Sequence, residues 1–296
     1  MKDKLTIDII VPTYNRPEDI KRFIEEIQKQ TYAFYKIYII DDCGTEKIDH
    51  LVPTNNPAFS FESLKENKGQ AYARNFALAK GSGDIVIFMD DDAWFLEPDA
   101  LELVAHYFEE DKSTMGCLMF DVLEPNTKWL SELKNLKDEQ ELGEFIACGC
   151  AFKRSTIEKL EGFSGFLHSA AEETDLSLRL IKNNELILFG EKVKIFHNYL
   201  PKERSIAWLK QFKHNIVRND LLIVLMLFPS IYILPYFAGK FVSHVRYNFK
   251  NDKRYFITNI QAVKALFSVL ILIPTVLKKR NAVSVEQFKY WKKVRF

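Results

Sequence analysis

The stretch DIVIFMDDDAW, residues 84–94, decides the fold, because an apolar run ends there in three consecutive carboxylates. The run is rich in β-branched and aromatic residues and follows the turn residues Gly81, Ser82 and Gly83, which predicts a strand over 84–89. Its unbroken apolarity fits a strand buried on both faces, as in a parallel sheet. Asp90, Asp91 and Asp92 then leave the carboxyl end of a central strand, where open α/β sheets bind ligands. Left unpaired near an interior, such groups lose several kcal/mol of hydration each. Something positive must face them.

Working outward, residues 7–11 read as a strand, PTYNRPED as a loop, and a helix starts near Pro17 with Ile20, Phe23, Ile24 and Ile27 on one face. A strand over 36–40 ends in Asp41 and Asp42, and a third spans 59–64. In ENKGQAYARNFALAKGSGD, Gly69 precedes a helix of small residues that ends before Gly81. Strands alternating with helices across short loops predict an α/β class fold with a mostly parallel sheet flanked by helices. Downstream the spacing predicts a helix over 99–108, strands over 115–123 and 144–153, and between them a polar loop or short helix over 124–143. A helix in SAAEETDLSLRLIKNN opens with carboxylates in its first turn, and one or two strands over 185–196 run up to His197.

The 296 residues, 47% hydrophobic and 27% charged, are ordinary for a globular chain, and the net charge of +1 hides an asymmetry. Residues 201–296 carry 18 Lys and Arg against 4 Asp and Glu, and the first 200 carry 23 against 36. We therefore expect two parts, 1–200 and 201–296, the second basic, apolar and helical. Its stretches LLIVLMLFPSIYILPYFAG, interrupted by Pro229 and Pro235, and AVKALFSVLILIPTVL fall short of the roughly 20 uninterrupted apolar residues of a spanning helix. With flanking cations and aromatics they suit helices lying on an anionic membrane surface. A plainer alternative is an amphipathic helical subdomain covering the sheet. The start of the chain has no adequate apolar segment for a secretory signal. Cys43, Cys117, Cys148 and Cys150 lack the paired spacing of a zinc site and read as small hydrophobes in a reducing compartment.

Capping of the following helix would explain one of the three aspartates. Two carboxylates in an Asp-x-Asp arrangement suit a hard divalent ion, Mg2+ or Mn2+, shared with substrate phosphates. Arg74 can supply charge-assisted bonds to phosphate, and an aspartate can accept a uracil or thymine N–H. The second acidic cluster, Glu172, Glu173, Thr174 and Asp175, is the candidate for acid–base work.

The motifs IIVPTYNRPEDI, IIDDCGT, ENKGQAYARNFAL, DIVIFMDDDA, GCAFKRSTIEKLEGF and EETDLSLRL, in this order, resemble the family 2 glycosyltransferases of GT-A fold over residues 5–200. The resemblance implies a Rossmann-like, inverting enzyme that uses a nucleotide-diphosphate sugar. It implies nucleobase contacts from Pro12, Thr13, Tyr14, Arg16 and Asp42, and ribose or diphosphate contacts from Asn67, Gly69 and Arg74. Asp90 and Asp91 join the donor site. Asp92, Asp90 and His197 become the metal ligands. From the basic character of the C-terminal part we expect Arg204, Lys213 and Arg218, with Gly149, on the acceptor side. The family usually reads Glu-Asp-x-Asp at the acidic cluster; the base position is Glu173 here, with Asp175 and Glu172 as orienting groups or alternative bases. The implied acceptor is a lipid-linked glycan of surface-polysaccharide assembly, met at the cytoplasmic face of the membrane by a peripheral or monotopic chain, with no nucleic acid as partner.

Two other readings remain open. A sugar-phosphate nucleotidylyltransferase would need a glycine-rich loop after the first strand, and VPTYNRPED has no glycine. A non-catalytic nucleotide-sugar-binding membrane scaffold would bind donors without turning them over.

Overall fold

The computed structural model describes residues 4–53, 55–109, 114–124, 135–167, 169–199 and 205–295. Four parallel strands, β1 (Ile7–Thr13), β2 (Tyr35–Asp41), β3 (Phe59–Ser63) and β4 (Ile85–Met89), form half of a sheet. Helix α1 (Pro17–Ile27) joins β1 to β2, and α2 (Gln70–Leu78) joins β3 to β4. Pro17 supplies a preset φ in the first turn of α1. That helix buries Ile20, Phe23, Ile24 and Ile27, each contributing roughly 1.5–3 kcal/mol of transfer free energy. All five residues of β4 are buried, as its continuous apolarity requires.

The second half contains β5 (Ala93–Phe95), α3 (Ala100–Glu109), β6 (Met115–Leu123), β7 (Glu141–Leu142), β8 (Gly149–Lys153), α4 (Arg154–Lys159), α5 (Glu172–Lys182) and β9 (Leu186–His197). The strand order is β3-β2-β1-β4-β8-β6-β9-β5, with β7 attached to β9. β8 is antiparallel to β4 and β6, and β5 is antiparallel to β9. The sheet is thus parallel over β1–β4 and mixed beyond them. Pairing of β6 with β9 jumps from Phe120↔Gly190 to Asp121↔Lys194, and such an irregularity bends a strand. Beyond it, β9 pairs with β5, so that Ala93 faces His197.

The strand expected over 144–153 begins only at Gly149; Phe145, Ala147 and Cys148 are buried ahead of it without joining the ladder. Residues 125–134 of the segment expected to be loop or short helix lie outside the described residues. The four cysteines are free, and all but Cys43 are buried.

Helices α6 (Ile206–Leu227), α7 (Ser230–Asn251), α8 (Tyr255–Lys279) and α9 (Val285–Val294) follow, with α6 packed on α7 and α8. A second apolar core gathers Leu221, Leu222, Val224, Phe228, Val269 and Trp291 with Leu178 and Ile181 of α5. Leu176 and Leu180 of the same helix pack in the core of the sheet, so α5 belongs to both. Helix α9 returns to the sheet: the Gly143 N–H donates to the Val294 carbonyl at 2.8 Å, and Tyr290 and Arg295 bond Glu141 and Glu144 at 2.8 and 2.9 Å.

Pro235 and Pro274 lie inside α7 and α8 without ending them. Contrary to the sequence expectation, the 25-residue α8 is long and apolar enough to cross a membrane by length and composition, the one such helix among the described residues. Leu234 and Ile271 are each 79% exposed, and Phe256, Phe267 and Leu277 also face outward.

Candidate active site

The aspartates sit where the carboxyl ends of β1 and β4 meet, and each has a cationic neighbour. Arg74 of α2, 1% exposed, donates from Nη2 to Asp90 Oδ1 at 2.7 Å. Arg16, just ahead of α1, donates from Nη1 to Asp91 Oδ1 at 2.8 Å and also to Asp92 Oδ2. The Thr13 hydroxyl donates to Asp91 Oδ2 at 2.7 Å. His197 Nε2 lies 3.2 Å from Asp92 Oδ1, a buried oxygen with no hydrogen-bond partner. On its other side, His197 Nδ1 is 2.8 Å from Glu124 Oε2.

Burial pushes Asp91 up to about 7 against the pull of Arg16. Burial also raises Asp92, but His197 and Arg16 outweigh it and leave that group below its ordinary range. For His197, burial lowers the value while Asp92 and Cys148 raise it to about 12.

Ligand atoms of Asp90, Asp92 and His197 lie within 4.8 Å of one another. Two carboxylates and an imidazole suit Mn2+ or Mg2+, and the unbonded Asp92 oxygen fits this donor set. Glu124 is the carboxylate that orients the histidine, a frequent partner of metal-binding imidazoles.

The loops after β1 and β2 are tied together. Asn15, at φ 54°, accepts the Thr45 N–H at 2.7 Å. Tyr14 is 48% exposed beside Arg16, and Pro12 and Thr13 end β1 opposite Ile40 and Asp41. Asp42 accepts the backbone N–H groups of Lys68 and Gly69, both at 2.7 Å, and Asn67 donates to its carbonyl at 3.2 Å. Gly69 adopts φ 87°, where a side chain is strained, and opens α2. Phe163 packs on the Arg74 guanidinium with 5.2 Å to the ring centroid, and Asn75 bonds both the N–H and the carbonyl of Phe163. Arg74 Nε and Nη1 are buried with no hydrogen-bond partner.

Helix α5 brings the second acidic cluster to the same place. Burial raises Glu172, opposed by Arg74, and its Oε2 lacks a partner. Burial and the adjacent Glu172 push Glu173 up to about 8. Arg74 is drawn up by Asp90, Glu172 and Glu173 despite its burial, so the guanidinium joins the two clusters. Asp175 is committed elsewhere: Arg179 Nε and Nη2 both donate to its Oδ2, at 2.8 and 2.6 Å. Thr174 donates to Glu144 at 2.9 Å. Before α5, Ser169, Ala170 and Ala171 all have positive φ, at 42°, 80° and 65°. This region costs a non-glycine residue roughly 1–2 kcal/mol, so surrounding contacts must hold the turn.

Among the described residues, the expected acceptor residues are not gathered. Arg204 lies outside the described residues. Gly149 is buried in β8, where a Cβ would meet Ile195 Cδ1 at 2.2 Å, so close strand packing accounts for a glycine there. Lys213 donates to Asn248 of α7 at 3.1 Å, and Arg218 donates to the carbonyl of Phe166 and to Asn219. A cavity of about 690 Å³ takes in Asp175 and Arg179 on another side of α5, with Lys159, Lys182 and Lys279 around it. These lysines lie in the last turns of α4, α5 and α8, where they offset helix dipoles.

The sequence profile of glycosyl transferase family 2 matches residues 8–174. An uncharacterized glycosyltransferase of Haemophilus influenzae is 31% identical over 107 residues, covering 36% of this chain and 35% of that relative. An O-antigen chain rhamnosyltransferase of Salmonella typhimurium is 26% identical over 220 residues, 67% of this chain and 69% of the other. Among solved structures, a mannosyltransferase of Pyrobaculum calidifontis in complex with GDP-Man and Mn2+ superposes with a TM-score of 0.64 at 19% identity, covering 99% of this chain and 80% of that one.

Proposed function

We propose that this chain, which belongs to glycosyl transferase family 2 and has its GT-A fold, inverts the anomeric centre of a UDP- or dTDP-sugar while transferring the sugar to a hydroxyl of a lipid-linked glycan. The observation that carries the reading is the convergence of Asp90, Asp92 and His197 with Arg74 and the first turn of α5. Residues 1–200 form the donor-binding catalytic part in this reading, and 201–296 the membrane and acceptor side.

Thr13, Tyr14, Arg16 and the Asp42–Asn67–Gly69 loop hold the nucleoside, and the free N–H groups of Arg74 face the diphosphate. Asp90, Asp92 and His197 hold a divalent ion, which supplies positive charge against the departing diphosphate. Glu173 accepts the proton of the acceptor hydroxyl as its oxygen attacks the anomeric carbon from the face opposite the diphosphate. Glu172 is an orienting group or alternative base beside Glu173, and Asp175 anchors α5 through Arg179. The exposed apolar residues of α7 and α8, with Lys253, Arg254, Lys278 and Lys279 at the ends of α8, suit seating on an anionic membrane. The O-antigen chain rhamnosyltransferase relative supports a role in surface-polysaccharide assembly, which in this reading takes place at the cytoplasmic face of the membrane.

Thermal-shift and donor-hydrolysis screening against UDP-, dTDP- and GDP-sugars, each with Mn2+, Mg2+ or chelator, tests the reading. Metal-dependent stabilisation and turnover of one nucleotide sugar is the expected result. Binding without turnover, even on lipid-linked acceptors, would favour the scaffold, and pyrophosphate release from a sugar 1-phosphate and a nucleoside triphosphate would favour the nucleotidylyltransferase.

A further inference from the structure

The turn that delivers Glu172 and Glu173 is held from outside the family-matched residues. Ser169, Ala170 and Ala171 keep left-handed backbones without a glycine, and Ala171 caps α5 with no side-chain hydrogen bond of its own. The amide of Asn219, on α6 and fully buried, donates from Nδ2 to the carbonyls of Ser169 at 3.2 Å and Ala170 at 2.9 Å. Its orientation is fixed because Oδ1 accepts from Arg218 Nη1 at 2.9 Å. One turn earlier, Asn215 Nδ2 donates to the Ser169 hydroxyl at 3.3 Å. A short amide with two acceptors facing one nitrogen fits this place; an aspartate would set its oxygens against the two carbonyls.

We propose that Asn219 is a positioning residue for the catalytic carboxylates: it clamps the left-handed Ser169–Ala171 turn and so fixes where the first turn of α5 presents Glu172 and Glu173. The inference rests on the reading of Glu173 as the base. It makes the helical C-terminal part a component of the catalytic geometry, since the clamp reaches the turn from α6. The donor contacts proposed above come from the loops after β1, β2 and β4, from α2 and from His197 of β9, none of which the Asn219 amide touches.

Asn219→Leu tests this. Calorimetry with UDP, dTDP or GDP plus Mn2+ should give wild-type affinity for whichever nucleotide the wild type binds, while kcat falls roughly 10- to 100-fold, the scale of a misplaced catalytic group. Hydrogen exchange should rise at residues 169–173 and stay unchanged in β1 and β4. Adding Ala170→Gly and Ala171→Gly, which relieves the backbone preference against positive φ, should restore much of kcat. An unchanged kcat, a parallel loss of nucleotide affinity, or no rescue by the glycines would each overturn the assignment. If the wild type turned over no nucleotide sugar, the functional reading would fail by itself; exchange at 169–173 unaltered by Asn219→Leu would then still refute the clamp, and a rise confined there would sustain it.

Discussion

Replacing Glu173 with glutamine should abolish turnover and stabilise the protein, both from one cause. Burial beside Glu172 lifts this carboxyl from an ordinary 4.5 to about 8. The unfolded chain releases the proton near the lower value, and the folded chain holds it until the higher one. Stability from this group is therefore complete below about pH 4.5 and is lost as pH rises to about 8, beyond which the loss levels off. Each pH unit of displacement corresponds to about 1.4 kcal/mol. Partial solvent contact and sharing with Glu172 reduce the whole to roughly 1–3 kcal/mol. Glutamine keeps the shape and never ionises. Scanning fluorimetry of the ligand-free proteins should show coincident melting at pH 5 and an advantage for Glu173→Gln of roughly 3–8 °C at pH 8. Wild-type turnover should rise toward pH 8 as the base ionises, and the variant should lose roughly 100- to 10,000-fold. An advantage that did not grow with pH, or retained turnover, would refute the assignment.

Asp92→Ala should remove Mn2+-dependent donor binding; equal calorimetric affinity with and without chelator in the wild type would count against the metal site. Glu124→Gln should weaken metal affinity roughly 10- to 100-fold by loosening His197, read by Mn2+ titration, with the thermal midpoint of the chelated protein as control. Flotation should favour anionic over neutral vesicles at low salt and lose that preference as salt is added; equal flotation would remove the electrostatic contribution.

The central strands were legible because a parallel strand buried on both faces leaves a continuous apolar run, as in residues 85–89, and because Gly69 and the aspartates punctuate it. β5 was not: three residues after Asp92 become a strand only because β9 lies alongside them. The loop ahead of Gly149 misled for the opposite reason, since Phe145, Ala147 and Cys148 are buried without ladder partners. At the site, Asp90, Asp92 and Arg74 could be singled out by local motif. Glu124 meets His197 across 73 residues, and Asn219 meets Ala170 across 49, so neither leaves a local signal. Phe163, in the motif ending LEGF, reads as core until its ring is found on Arg74.

The return of α9 imposes an order in time. Glu144 accepts from Thr174, beside Glu173, and from Arg295, 151 residues further along. At roughly 5–20 residues per second of synthesis, residues 141–144 emerge on the order of 10 s before their partners on α9. During that interval the nascent sheet lacks its last neighbour, and the polypeptide cannot yet close the link from Arg295 through Glu144 to the first turn of α5. Only after translation has passed residue 295 can Arg295 join Glu144 and Thr174 in that network.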